Sequence, residues 1–184
     1  MFDQGPNRWK GFVLGLAGGV VGTVAMEGYW KAVTVALGAD PRVATTDDGV
    51  DALKDVSLVG RQHMKEEGST AAMGRIAFEQ IAGKAPESDE TKSVLSYEVH
   101  YAYGALQGGL YGAMTGDRGS RDVTDGALFG TALWLLGDEG AVSLLGLTEG
   151  PGSYPLKQHL ARWGAHLVYG LATAATVKAL RKAL

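Results

Sequence analysis

His100–Gly116, HYAYGALQGGLYGAMTG, sets glycine at positions 104, 108, 112 and 116, one helical turn apart, in an apolar stretch whose lone ionisable side chain is His100. Residues four apart stack on one face of a helix. A face of glycine lets a second backbone come close, which is how helices associate where no hydrophobic effect drives them together. The stretch therefore reads as one helix of a membrane bundle, with Gly104, Gly108, Gly112 and Gly116 as its packing face.

Three further segments share this grammar. The first, 11–37 (GFVLGLAGGVVGTVAMEGYWKAVTVAL), carries only Glu27 and Lys31 as charges and exceeds the roughly 20 apolar residues that cross a bilayer. Gly11, Gly15 and Gly19 form a second ladder in it, and Gly18 with Gly22 a third. A secretory signal is the rival reading, but the apolar run is long and no small-residue cleavage site follows it. The next segments run over 96–116, 123–147 (with Gly126 and Gly130) and 156–180. The expected fold is all-α: a single membrane domain over 1–184, an integral bundle of four transmembrane helices with a polar outer loop, 39–95, carrying short helices. Ser69 or Thr70 is placed to cap one of these.

The near-zero mean hydropathy averages apolar segments against that polar loop. Arg8 and Lys10, Arg118 and Arg121, and Lys178, Arg181 and Lys182 all fall on one side of a four-span chain, which puts both termini in the cytoplasm. The expected location is the bacterial inner membrane. With no cysteine, disulfides and thiolate metal sites are excluded. A net charge of −3 with scattered lysines and arginines gives no basic patch for nucleic acid.

Depth along each span, at about 1.5 Å per residue, places Glu27, Asp138 and Glu139 at one level and brings His100, His159, Arg162 and His166 toward the same half of the bilayer. His159, Arg162, His166 and Tyr169 follow a three-four-three spacing and share a helix face. Ionisable groups at such depth pair with one another or line a water-filled cavity, so Arg162 is expected with Asp138 or Glu139, and a histidine with Glu27. Three functions fit this cluster. It is a satisfied structural network in a non-enzymatic membrane component, a homo-oligomer or a subunit of a larger assembly in the lipid bilayer, with no cofactor. It is a proton or ion pathway, since histidines beside carboxylates titrate at mild acid pH. Or it binds metal or haem for redox chemistry, although Glu98 and His100, two residues apart, lack the Glu-x-x-His spacing of di-iron bundles. No nucleophile elbow or phosphate-binding glycine loop supports an enzyme.

An H-x-x-Y-G pattern recurs at His100–Gly104 and His166–Gly170, and Gly18/Gly22-Thr23 echoes Gly126/Gly130-Thr131, which suggests two parallel helical-hairpin repeats. Residues 132–184, ALWLLGDEGAVSLLGLTEGPGSYPLKQHLARWGAHLVYGLATAATVKALRKAL, together with HYAYGALQGGLYG at 100–112, resemble YagU-like bacterial inner-membrane proteins. The matching positions are His100, Tyr103, Gly104, Asp138, Glu139, Gly146, Leu147, Pro155, His159, His166, Tyr169 and Gly170. The resemblance implies a small multi-span membrane protein of unknown function connected with acid tolerance, and it supplies no catalytic residues.

Overall fold

The computed structural model describes residues 7–43, 49–116 and 123–184, and these are all-helical, with no strand. Arg118 and Arg121, part of the orientation argument, lie outside the described residues. The long helices are α1 (Arg8–Leu37), α3 (Asp89–Thr115) and α6 (Leu156–Ala183), with the shorter α2 (Ser69–Ala82) and α4 (Val123–Leu133). A π-helical stretch, Trp134–Ala141, continues α4 into a last α-turn, α5 (Val142–Leu144). Contacts divide the chain into two compact units. One comprises residues up to Ala39, Tyr101–Leu133 and Arg162–Leu184; the other comprises Asp40–His100 and Trp134–Ala161.

In the first unit α1 begins at Asn7, whose side chain accepts the Lys10 N–H at 2.9 Å, and ends at Gly38 in the left-handed conformation, φ 69°. These are the cap types that satisfy orphan amides and carbonyls at helix ends. Between the caps its buried face is mostly glycine. Gly11, Gly15 and Gly19 stand against Gly112, Gly108 and Gly104 of α3, and a Cβ added at any of the three would fall on the opposing carbonyl oxygen. The descending partner numbers make α1 and α3 antiparallel. Gly18 and Gly22 face α6 instead, against Val177, Thr173 and Tyr169. Gly126 and Gly130 of α4 also face α6, at the Gly170 and His166 carbonyls. Helices α1 and α4 thus run one way, and α3 and α6 the other. The repeat seen in the sequence is not carried into equivalent contacts, because Gly18/Gly22 pack across hairpins and Gly126/Gly130 within one. Gly116, where the second segment was expected to end, closes α3 with φ 58°, its Cα beside Gly11.

Side chains fill the space that the glycines leave. Tyr111, Phe129 and Tyr169, from α3, α4 and α6, form an aromatic file with centroid spacings of 4.8 and 6.0 Å. Tyr169 is buried with Met26 and Ala165, and its hydroxyl donates to the Gly104 carbonyl at 2.6 Å. The large aliphatic side chains lie on the other side of each helix: Val13, Val20, Val21 and Val24 of α1, Leu106, Leu110 and Met114 of α3, and Leu128 of α4 are exposed. Small residues inside and large apolar ones outside reverse the order of a water-soluble core.

In the second unit α2 lies on the start of α3, with Gly74 against Leu95 and the Thr70 hydroxyl 2.9 Å from that of Ser96. The expected Ser69 or Thr70 cap is not formed; Gly68 holds the N-cap position.

Helix class and the placing of the four long segments agree with the sequence reading, although α3 begins seven residues before the expected Ser96. Among the described residues, α1 alone is apolar and long enough by composition to cross a membrane. The third segment is interrupted by the carboxylate pair of its π stretch, and α3 opens on Asp89 and Glu90.

Gly108→Ala puts a methyl group onto the Gly15 carbonyl and the Gly19 backbone, whereas Gly28, on the same α1, has open space around it. Thermal unfolding in mild detergent is expected to show Gly108→Ala less stable by about 1–3 kcal/mol, the overpacking range. Gly28→Ala is expected to be more stable by about 0.5–1 kcal/mol, the glycine-to-alanine gain of a helix interior.

Candidate functional site

The eight ionisable or polar residues singled out by the sequence fall into both units. Glu27, Arg162, His166 and Tyr169 belong to the first; His100, Asp138, Glu139 and His159 belong to the second. In the first unit, His166 Nδ1–H donates to the Arg162 carbonyl one turn earlier, at 2.9 Å. Glu27 Oε1 is buried without a hydrogen-bond partner, so that oxygen forms no pair with a histidine. Tyr169 serves as a packing and hydrogen-bonding strut.

The second unit joins two of its members. Glu139 is carried by the π stretch, whose sequence WLLGDEGA flanks the carboxylate pair with Gly137 and Gly140. The wider turn presents Glu139 Oε1 to His159 Nδ1 at 2.7 Å, while His159 Nε2 faces the Pro151 carbonyl at 3.1 Å. Both side chains are largely buried, and the Tyr154 ring stands edge-on to the imidazole. Arg162 was expected with Asp138 or Glu139; of these, Glu139 hydrogen-bonds to His159. π-Helical turns are rare and frequently mark functional positions.

A second histidine grips the same loop, and the sequence reading passed it over. His63 Nδ1–H donates to the Gly146 carbonyl at 2.8 Å, and Nε2 lies 3.3 Å from Glu149 Oε1. The Gly146 carbonyl also accepts the Gln62 and His63 amides. Glu149 is shared with Arg61, at 3.0 Å. Gly146 holds φ 66° with the Gly60 carbonyl where a side chain would project, so only glycine fits. Nearby, the Gly150 amide bonds to the Lys54 carbonyl, and the buried Ser143 hydroxyl donates to the Glu149 carbonyl at 3.4 Å. A small polar cleft here is lined by Lys54, Ser57, Arg61, His63, Ser143 and Glu149, among others. Nothing in the local sequence of His63 announces it; the one signal is a histidine in a loop rich in glycine and charge.

The His63 loop is itself anchored. Arg75 of α2, buried, donates to Glu67 at 2.9 and 3.0 Å, to Glu79 at 3.3 Å and to the Gln62 carbonyl at 2.6 Å. Burial pushes the Glu67 carboxyl up, but the Arg75 hydrogen bond, the Met64 amide and the Arg75 charge together bring it below the ordinary glutamate value. Close by in sequence, Arg42 grips Asp40 through two oxygens, and that hydrogen bonding lowers the Asp40 carboxyl. The Arg42 carbonyl in turn accepts from Gln158, which is fully buried. Among the described residues no group of three or more histidine, aspartate or glutamate side chains is arranged to hold a metal ion.

The glycines singled out for helix packing all face this chain. Gly15, Gly18, Gly19, Gly22, Gly104, Gly108, Gly112, Gly126 and Gly130 are taken up by intrachain contacts.

Because the folded Glu67 carboxyl lies below its unfolded value of about 4.3, it contributes stability above that pH, lost as pH falls through the folded value. Glu67→Gln is expected to lower stability at pH 7 by about 1–3 kcal/mol. It should also flatten the acid limb of an unfolding titration below about pH 4.3; an unchanged acid limb would contradict the assignment.

The chain matches no protein family, no curated protein and no solved structure.

Proposed function

We propose that this chain is a four-span protein of the bacterial inner membrane, with both termini cytoplasmic, serving as a non-enzymatic structural or assembly component. The observation that carries the reading is the surface of the first unit: glycines meet inside along α1 and α3, while Val13, Val20, Val21 and Val24 of α1 and Leu106, Leu110 and Met114 of α3 are exposed. In water such a surface is an aggregation liability. In a bilayer it is the expected arrangement, because lipid tails solvate large aliphatic side chains and close backbone packing holds the helices. The alternating directions of α1, α3, α4 and α6 fit four successive crossings. At about 1.5 Å per residue, α1, of 30 residues, is longer than a hydrocarbon core of about 30 Å.

The glycine faces of α1, α3 and α4 are engaged within the chain, so assembly with a second copy or another subunit would use the exposed aliphatic faces. A proton-responsive role is the second reading, favoured by the Glu139–His159 pair. Backbone-to-backbone contact along α1 and α3 leaves no space between those two helices for an ion path.

The native chain has no cysteine, so single cysteines report topology directly. After alkaline carbonate washing the protein is expected to stay with the membrane. Cysteines at Arg8 and Leu184 are expected to react with an impermeant maleimide only after the cytoplasmic side is opened, and one at Lys84 in intact cells. Release by carbonate, or Lys84 and the termini on one side, would refute the proposal.

A further inference from the structure

Residues Gly146–Pro151 are held at both ends by histidines. His159 stands between the Glu139 carboxylate and the Pro151 carbonyl, at 2.7 and 3.1 Å, with both ring nitrogens hydrogen-bonded. His63 holds the Gly146 carbonyl through Nδ1–H at 2.8 Å, while its Nε2, 3.3 Å from Glu149, makes no hydrogen bond. A neutral imidazole has one N–H and one lone pair, whereas the imidazolium donates from both nitrogens. At His159 the carbonyl can only accept, so Nε2 must carry a proton. The 2.7 Å contact then needs a second one, on Nδ1 or on the carboxyl group. A neutral ring beside an ionised Glu139 is one proton short, and one contact must open.

We infer that Gly146–Pro151 is a proton-operated latch, closed when the Glu139–His159 pair holds the extra proton and loosened when it releases it. This rests on hydrogen-bond geometry within the second unit and is independent of the bilayer reading.

Around His159 stand Glu139 and the edge of Tyr154, with Asp138 next to Glu139 on the π stretch. Around His63 stand Glu149 and Glu67, with Arg61 on Glu149 and Arg75 on Glu67. Lys54 and Asp55 line the same cleft. Both nitrogens of His159 are hydrogen-bonded and only Nδ1 of His63 is, so His159 is the proton-dependent grip and His63 the auxiliary one. Release at His159 also removes a tie on the π stretch. That stretch keeps its rare geometry where Glu139 is bound to His159, so opening the pair lets it relax toward α-helical pairing.

Hydrogen exchange of the full chain, corrected for intrinsic rates, tests this on peptides covering 142–156 at pH 5.5 and 8.0, the range in which histidine changes charge. Amides there are expected to be about tenfold better protected at pH 5.5, the upper value of one net hydrogen bond. Peptides of α2 serve as the reference, with little change expected. Ring nitrogen resonances of ¹⁵N-histidine protein are expected to show His159 losing a proton over the same pH interval in which the segment loosens. Glu139→Gln provides the discriminating variant. Its amide donates to Nδ1 of a neutral ring while Nε2–H keeps the Pro151 carbonyl, so the latch should stay closed at both pH values. Equal wild-type protection at the two pH values would overturn the inference, as would a Glu139→Gln protein whose segment still loosens at pH 8.0. If Glu139→Gln does not fold, the wild-type comparison and the histidine resonances decide alone.

Discussion

Where Gly15 and Gly19 of α1 meet Gly108 and Gly104 of α3, the two backbones stand in contact: a methyl group at Gly15, Gly19 or Gly108 would sit on a carbonyl oxygen, and one at Gly104 on the Thr23 hydroxyl. Such proximity replaces the burial of large side chains as the source of cohesion. Dispersion between closely apposed backbones is small per atom pair and large in sum. It also fixes what the remaining faces can do. With glycine inside, the aliphatic side chains of α1, α3 and α4 have nowhere to go but outward, and the solvent that suits them is hydrocarbon.

The polar groups of the first unit follow from the same constraint. Thr23 returns its hydroxyl to the Gly19 carbonyl at 2.9 Å, His166 bonds to the carbonyl one turn back, and Tyr169 reaches across to Gly104. Each satisfies itself on backbone oxygen, which lets a polar side chain sit in a tightly packed interior without a dedicated partner. The carboxylate–histidine chemistry belongs to the second unit, where loops supply the carbonyls and carboxylates that a regular helix does not. There the π stretch turns Glu139 toward His159, and Gly146, in a conformation closed to other residues, offers one carbonyl to three donors.

The four long helices were legible because glycine spacing, proline breaks and apolar runs are local signals, and the boundaries at Leu37, Val123 and Leu156 follow from them. The packing face of α3 was legible from Gly104, Gly108 and Gly112 alone. Which ladder meets which helix was not: Gly18 and Gly19 are neighbours in sequence, yet one faces α6 and the other α3, since consecutive helical residues point about 100° apart. The ion pairs were harder still. Pairing Arg162 with Asp138 or Glu139 was read from depth along regular α-helices, whereas Glu139 lies on a π stretch and its carboxylate meets His159. His63 lay in a loop whose partners are some eighty residues away, and no periodicity connects them.

The central claim is that α1 turns its valines to lipid and its glycines to protein. Spin labels placed singly at the exposed Val13, Val20 and Val24 and at the buried Leu14 and Met26 of the membrane-reconstituted protein would report collision rates with oxygen, which partitions into lipid, and with a water-soluble nickel chelate. High oxygen and low nickel access at the three valines, with low access to both reagents at Leu14 and Met26, is the expected pattern. Nickel access at the valines equal to that of a free aqueous label would contradict the account, because that face of α1 would then be in water.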